Sequence, residues 1–129
     1  MLISSIPQYI QGITNAKLSL TGITATTLFT VPSDADFNAA IVNSILVAET
    51  SGNADTITVT VTSGGSTFTL FNVKAVDANT TVELLTKDLV LQSGEILKVQ
   101  AATANRLHVV ASIQDLSKTR ITTSALSRI

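Results

Sequence analysis

The sequence predicts an all-β protein: an antiparallel β-sandwich of about eight short strands in a jelly-roll-like arrangement. Apolar and polar residues alternate with a period of two in several segments, which is typical of half-buried strands. These segments recur roughly every 8–12 residues and are separated by turn residues, as in sandwiches and barrels. Only 13% of the residues are charged, and threonine supplies much of the polarity instead. Threonine suits the extended backbone because its Cβ is branched.

The first half of the chain begins with two short strands and a longer one. The segment "KLSL" (17–20) predicts the first strand, and "TTLFTV" (26–31) predicts the second. The second strand ends at Pro32, which cannot donate to a sheet ladder. The third segment, "AIVNSILVAE" (40–49), has apolar residues at both odd and even positions. It therefore predicts a central strand that is covered on both faces.

The clearest alternation lies in "DTITVTVT" (55–62), where Ile57, Val59 and Val61 share one face and threonines share the other. The threonine face is expected to meet solvent or a partner. "SGG" (63–65) predicts a tight turn, since glycine adopts positive φ without strain. The chain then returns in "STFTLF" (66–71) as the hairpin partner, with Phe68 and Leu70 predicted to point inward.

The second half predicts the remaining strands. "TTVELLTK" (80–87) and "DLVL" (88–91) are broken near Lys87 and Asp88, and "QSGE" (92–95) is a tight turn. The last two strands are "EILKVQAA" (95–102) and "RLHVVASIQ" (106–114). Alternation places these side chains inward: Leu97, Val99, Ala101, Leu107, Val109, Ala111 and Ile113; it places Arg106, His108, Val110 and Ser112 outward.

With 129 residues, the chain is long enough for one domain. We expect an N-terminal arm over residues 1–13, a β-sandwich over residues 14–115 and a C-terminal basic arm over residues 116–129. Residues 1–115 hold five basic and nine acidic groups, a net charge of −4, whereas residues 116–129 hold three basic and no acidic groups, a net charge of +3.

The arms are the predicted interface, because each carries apolar residues that a solvated tail does not need; the alternative is a pair of frayed termini. The candidate interface residues are Ile3, Ile6, Tyr9 and Ile10 in the first arm and Lys118, Arg120, Ile121 and Arg128 in the second.

Side chains suited to catalysis or metal binding are sparse. The sequence has no cysteine and a single histidine, His108, which alternation places on the surface. Asp34 and Asp36 resemble the start of a calcium loop, but Ala39 and Ile45 stand where that loop needs glycine and glutamate. No carboxylate pair is placed for acid–base work. We expect no catalytic residues, no metal site, no cofactor, no small-molecule substrate and no enzymatic activity.

Charge and hydropathy argue against two classes of partner, nucleic acids and membranes. A net charge of −1 disfavours a nucleic-acid binder. No apolar run reaches the roughly 18–20 residues that a membrane helix needs, so no membrane partner is expected. The opening "MLISSIPQYI" lacks the basic and apolar regions of a secretory signal, which predicts a soluble protein that is made in a cytoplasm.

Two longer stretches carry a family resemblance. They are "ATTLFTVPSDADFNAAIVNSILVAETSGNADTITVTV" (25–61) and "LLTKDLVLQSGEILKVQAATANRLHVVASI" (84–113). In the order and spacing of their β-strand segments, they resemble small structural proteins of tailed bacteriophages. The matching pieces are Leu28 to Pro32, Ile41 to Gly52, Leu89 to Gln100 and Ala104 to Ile113, so the resemblance spans roughly Ala25 to Ile113.

The resemblance implies a β-sandwich virion component without enzymatic activity or cofactor. The first hypothesis is a capsid decoration (cement) protein, a homotrimer that binds the major capsid protein and stabilises the assembled shell. The second is a tail, neck or fibre component that binds other virion proteins or the host surface. Host binding would use exposed loop aromatics, of which Phe37 is the best candidate. A jelly-roll enzyme or small-molecule binder is the third.

Overall fold

The computed structural model describes residues 12–34 and 37–117, and the regular structure within them is nine β-strands. No helix in these ranges is long and apolar enough to cross a membrane. The strands are β1 Gly12–Ser19, β2 Thr26–Thr30, β3 Ala39–Glu49, β4 Asp55–Ser63, β5 Ser66–Val76, β6 Thr81–Glu83, β7 Leu89–Gln92, β8 Ile96–Ala101 and β9 Leu107–Asp115.

The strands form two antiparallel sheets in jelly-roll order. Sheet A has the order β1-β9-β3, with β6 and β7 both on the far edge of β3, and sheet B has the order β2-β8-β4-β5. The pairs nest along the chain: β4 with β5, β3 with β6 and β7, β2 with β8, and β1 with β9. Wrapping this nested hairpin into two layers gives the jelly roll. The predicted fold class is confirmed.

The core lies between the sheets and consists of the side chains that alternation placed inward. Ile57 and Val59 of β4 are fully buried, as are Leu97 and Val99 of β8. The inward residues of β9 are buried too, and its predicted outward residues are exposed or half-buried. Each such Leu, Ile or Val stabilises the fold by about 1.5–3 kcal/mol relative to an exposed position. The β4 threonines are half-buried on the outer face of sheet B, the face away from sheet A.

Strand β3 is central, as predicted, but its second face is not covered by the described residues. It lies between β9 on one side and β6 and β7 on the other. Its inward residues Val42, Ile45 and Val47 are fully buried. On the outer face, however, Ile41 is half-buried and Leu46 is 40% exposed. The expectation of a doubly covered strand is therefore wrong for this part of the chain.

The predicted break near Lys87 and Asp88 lies in the segment that separates β6 from β7. β7 pairs with β3 as far as Val42, and β6 pairs with β3 from Leu46 onward. The Glu83 carboxylate fills the gap: it accepts hydrogen bonds from the Ser44 hydroxyl and, at 2.8 Å, from the Ile45 backbone N–H. Burial alone would raise the pKa of Glu83, but these hydrogen bonds outweigh it and lower the pKa.

The two ends of the sandwich lie next to each other on sheet A. Gly12 of β1 pairs with Asp115 of β9, two residues earlier than the expected start of the sandwich at residue 14. Beyond β9, the Leu116 N–H donates to the Ala39 carbonyl at 2.9 Å, and Ser117 is buried. These contacts fix Leu116 and Ser117 against the fold. The division into two arms and a domain stays a prediction.

Candidate interaction surface

The interface residues predicted from the sequence lie outside the described residues. This holds for Ile3, Ile6, Tyr9 and Ile10 in residues 1–11, and for Lys118, Arg120, Ile121 and Arg128 in residues 118–129. The structure therefore does not test them.

The described ranges offer no cluster for metal chemistry. Within residues 12–34 and 37–117, no three His, Cys, Asp or Glu side chains converge to hold a metal ion. His108 lies on the outer face of sheet A, level with Ser19 and Ala48 on the neighbouring strands. The Asp34 carboxylate accepts a hydrogen bond from Asn38 Nδ2 at 2.6 Å.

Glu49 is the most perturbed acid in the described residues, and its surroundings assign it a structural role. Its buried carboxylate accepts hydrogen bonds from the Ser51 hydroxyl and from the backbone N–H groups of Ser51, Gly52 and Asn79. Burial would raise the pKa of Glu49, but these four donors together lower it from 4.5 to about 2. The side chain thereby ties the β3–β4 loop to the β5–β6 loop.

Exposed apolar side chains lie along β5, the edge strand of sheet B. They are Phe68, Leu70 and Val73. We call these three residues the β5 edge. Among the described strands, β5 pairs only with β4, so its other edge presents free backbone N–H and C=O groups.

The outer face of sheet A carries a second set of exposed apolar side chains. Ile13 of β1 lies opposite Gln114 of β9, Gln114 lies opposite Ile41 of β3, and Ile41 lies opposite Val90 of β7. Ile13 is 82% exposed and Val90 is 58% exposed, and Leu46 of β3 is exposed on the same face. The two other large hydrophobic side chains that are exposed in the described ranges, Ile23 and Phe37, lie in loops.

Phe68 is on the inward side of sheet B as predicted, but neither Phe68 nor Leu70 is buried, and the register of β5 explains why. Phe68 lies opposite Val61, on the core-facing side of sheet B, yet it is 56% exposed because β5 is the outermost strand. Leu70 is an extra residue between the pairs Val59–Phe71 and Thr60–Thr69. Such a bulge shifts the alternation, and periodicity alone does not reveal it.

A second irregularity of β5 places Val73 in a left-handed backbone conformation. Its φ is 54°, which is unfavourable for a β-branched residue. Between the pairs Ile57–Lys74 and Val59–Phe71, two residues of β5 face only Thr58 on β4. The Val73 N–H donates to the Thr58 hydroxyl at 3.1 Å. The fold thus holds an exposed valine in a strained position on the β5 edge.

Replacing Val73 with asparagine is expected to raise the free energy of unfolding by about 1 kcal/mol, because asparagine adopts the left-handed region more readily. Urea unfolding followed by far-UV circular dichroism measures the change. Val90→Asn is the matched control, because Val90 is equally exposed, at 58%, but its backbone φ is not positive. A Val73→Asn variant that gains no more than the control would contradict the assigned strain.

The turn between β4 and β5 matches its prediction. Ser63 pairs with Ser66, so Gly64 and Gly65 form a two-residue hairpin loop with φ values of 57° and 85°. Positive φ at both positions is the requirement of the type I′ turn, which only glycine meets without strain. The turn sets the length of the β4–β5 hairpin and thus the position of the exposed edge.

No protein-family model matches the chain, and no curated protein does. A solved structure of infectious bursal disease virus, Gx strain, is similar, with a TM-score of 0.51 and 11% identity over 83% of this chain and 31% of that chain. Two crystal structures of a pentameric capsid protein isolated from metagenomic phage sequences match with a TM-score of 0.44 and 19% identity; they cover 80% of this chain and 60% and 61% of those chains.

This chain spans less than two thirds of the length of each of these solved chains. At 11% identity, the likeness to the infectious bursal disease virus structure concerns the fold.

Proposed function

We propose that this chain is a structural protein of a bacteriophage virion, most specifically a capsid decoration protein that binds the assembled shell of the major capsid protein. The observation that carries the proposal is a jelly roll with large apolar side chains exposed along the edge strand β5 and on the outer face of sheet A. Exposed apolar groups on a small domain mark protein–protein contact when they cluster. The sequence resemblance to tailed-phage structural proteins and the fold of the similar virus structure both support it.

The physical task of such a protein is to add interface across the joints of the shell. A component that binds only the assembled shell stabilises it by mass action. The low density of charge on the chain favours this role, since few charged groups must be desolvated on docking. The half-buried threonines of β4 suit a contact face, because their stiff side chains lose little rotamer entropy on binding.

The terminal arms are proposed to extend this contact. Ile3, Ile6, Tyr9 and Ile10 would supply apolar anchors. Lys118, Arg120 and Arg128 would pair with an acidic neighbour, with Ile121 packed beside them. Because Leu116 and Ser117 are held by the sandwich, the second arm is best removed after residue 117. The protein is proposed to act without catalysis or cofactor, as an oligomer in the virion.

A tail, neck or fibre component is the second candidate, and one observation favours it. Phe37 is 81% exposed in the β2–β3 loop, where an aromatic ring is available for contact with a host surface or a neighbouring tail protein. It stands alone as an exposed aromatic residue in the described loops, which favours the decoration role over receptor binding.

The copy number in purified particles tests the proposal. Quantitative mass spectrometry should find hundreds of copies per particle, in a simple ratio to the major capsid protein. Copies between six and a few tens would move the protein to the tail, neck or fibres. Absence from the particle would overturn the virion role. A chain without residues 118–129, added to particles that lack the protein, should be recovered in fewer copies than the full chain if the basic arm docks.

A further inference from the structure

We infer that two copies of this chain dock through the outer face of sheet A, the face away from sheet B, about a twofold axis that runs parallel to the strands between β9 and β3. This contact rests on the proposed function, in which the protein acts as an oligomer, and it names the surface through which two copies meet. The strand register, which places specific side chains in rows across this face, carries the inference.

The first row on this face is apolar at both edges of the sheet. It runs from Ile13 on β1 through Gln114 of β9 and Ile41 of β3 to Val90 on β7. Ile13 and Val90 are exposed, whereas Gln114 and Ile41 are half-buried. A partner must therefore reach both edges of the sheet to remove this apolar surface from water.

The second row carries one charge of each sign, at opposite edges of the sheet. It runs from Lys17 on β1 through Val110 of β9 and Leu46 of β3 to Glu83 on β6. Lys17 and Glu83 are both exposed. The Glu83 carboxylate accepts hydrogen bonds from the Ser44 hydroxyl and from two backbone N–H groups, so the position of the negative charge is fixed before any partner binds.

A twofold axis parallel to the strands brings each row onto the same row of the second copy, because a closed twofold rotation has no translation along its axis. The strand order is reversed across the interface, so that β1 of one copy faces β6 and β7 of the other, and β9 faces β3. The facing side chains are then Ile13 with Val90, Val110 with Leu46, and Lys17 with Glu83. Each of these contacts occurs twice, since the interface is symmetric.

The same residues argue against the other symmetric arrangement. Sheets that stack face to face keep their strand directions within about 30° of each other, so the axis lies close to parallel or close to perpendicular to the strands. A perpendicular axis between the two rows would place Ile13 on Lys17 and Val90 on Glu83. Each charge would then be buried against an apolar side chain, which is costly. The parallel axis instead brings opposite charges together.

The size of the face predicts a weak contact that depends on concentration. Four strands about 4.8 Å apart and eight residues of about 3.3 Å each cover roughly 500 Å² per copy. A standard interface buries roughly 800 Å² per partner. The face is therefore free in dilute solution, and the contact forms where many copies are held close together, as they would be on a virion.

Sedimentation velocity on the purified full chain measures the contact. The weight-average mass should rise with concentration from 13.5 kDa towards twice that value. Lys17→Glu should raise the dissociation constant at least about tenfold, because it brings like charges together at two places. Lys98→Glu is the matched control. It makes the same change of charge on β8, on the outer face of sheet B, and should leave the dissociation constant unchanged.

Cross-linking tests the axis without changing any charge. The chain has no cysteine, so Ile13→Cys and Val90→Cys each introduce a single thiol. Facing Cα atoms of stacked sheets lie about 10 Å apart, which is too far for a disulfide, so a short bismaleimide is used. A mixture of the two variants should give linked dimers. Either variant alone should not, because its two thiols lie a further three strand spacings, about 14 Å, apart across the sheet.

Three results would overturn the inference. One is a wild-type chain that stays monomeric up to about 1 mM, which would leave this face to another virion protein. The second is a folded Lys17→Glu variant that associates as well as Lys98→Glu. The third is a cysteine variant that cross-links as well alone as in the mixture.

Far-UV circular dichroism checks that each variant is folded. Lys17→Gln, with a smaller expected increase in the dissociation constant, replaces Lys17→Glu if that variant does not fold. Because these measurements use purified protein alone, their failure is distinct from failure of the proposed function, which the copy number per particle tests.

Discussion

Replacing Leu97 with alanine is expected to lower the free energy of unfolding by about 3 kcal/mol. Leu97 lies in β8, in the interior of sheet B, paired with Phe29 of β2 and Val61 of β4. Its side chain is fully buried, so the substitution removes apolar contacts and leaves a cavity. A domain of this size has roughly 5–15 kcal/mol of stability, so the loss is a large share of it. Urea unfolding followed by far-UV circular dichroism measures it.

Leu46→Ala is the matched control for this prediction. It makes the same chemical change on the outer face of sheet A, where the side chain is 40% exposed. The expected loss is well under half of that at Leu97, because less apolar area returns to water. Equal losses at the two positions would contradict the picture of an uncovered outer face on β3.

Alternation in the sequence predicted the core well wherever a strand is regular. In β8 and β9, each residue placed inward is buried, because with a period of two a single buried position determines the rest of the strand. The turn at Gly64 and Gly65 was predictable for a similar reason, since its chemistry is local. These features depend only on neighbouring residues.

The failures have non-local causes. Phe68 was predicted to be inward and does lie opposite Val61, but its burial depends on how far the other sheet extends, which no local pattern records. Leu70 and Val73 lie at bulges, where β5 has one residue more than the facing segment of β4. The local composition of the sequence does not show such an extra residue. The strand order could not be predicted either, because it depends on pairs such as β1 with β9, whose residues lie about 90 positions apart in the sequence.

The candidate interaction surface illustrates the same limit. The apolar residues in "STFTLFNV" (66–73) were visible in the sequence, but the alternation assigned some of them to the core. Only the sheet order shows that they belong to an edge strand. An excess of apolar residues on both faces of a predicted strand, as in β3 and β5, is therefore compatible either with burial on two sides or with an interface. Solvent exposure in the folded chain distinguishes the two.

The stability of the fold is expected to depend on Glu49 in a defined pH range. The carboxyl has a pKa of about 2 in the folded chain and an ordinary value of 4.5 when unfolded. Because the folded pKa is the lower one, the ionised group favours the folded state. Its contribution is fully present above about pH 4.5 and is lost as the pH falls to about 2. Glu49→Gln should therefore unfold at a lower temperature than the wild-type chain at neutral pH. The difference between the two unfolding temperatures should disappear on acidification.

Thermal unfolding of both proteins between pH 2 and pH 7 measures this dependence. Ser51→Ala serves as the graded variant: it removes one hydroxyl donor to the Glu49 carboxylate but leaves the backbone donors of Gly52 and Asn79. The folded pKa of Glu49 should then lie closer to 4.5, so the loss of stability on acidification should be smaller than in the wild-type chain. The difference in unfolding temperature between the wild-type chain and Glu49→Gln could instead stay constant from pH 2 to pH 7. That result would mean that Glu49 holds the β3–β4 and β5–β6 loops together through the shape of its side chain and not through its charge.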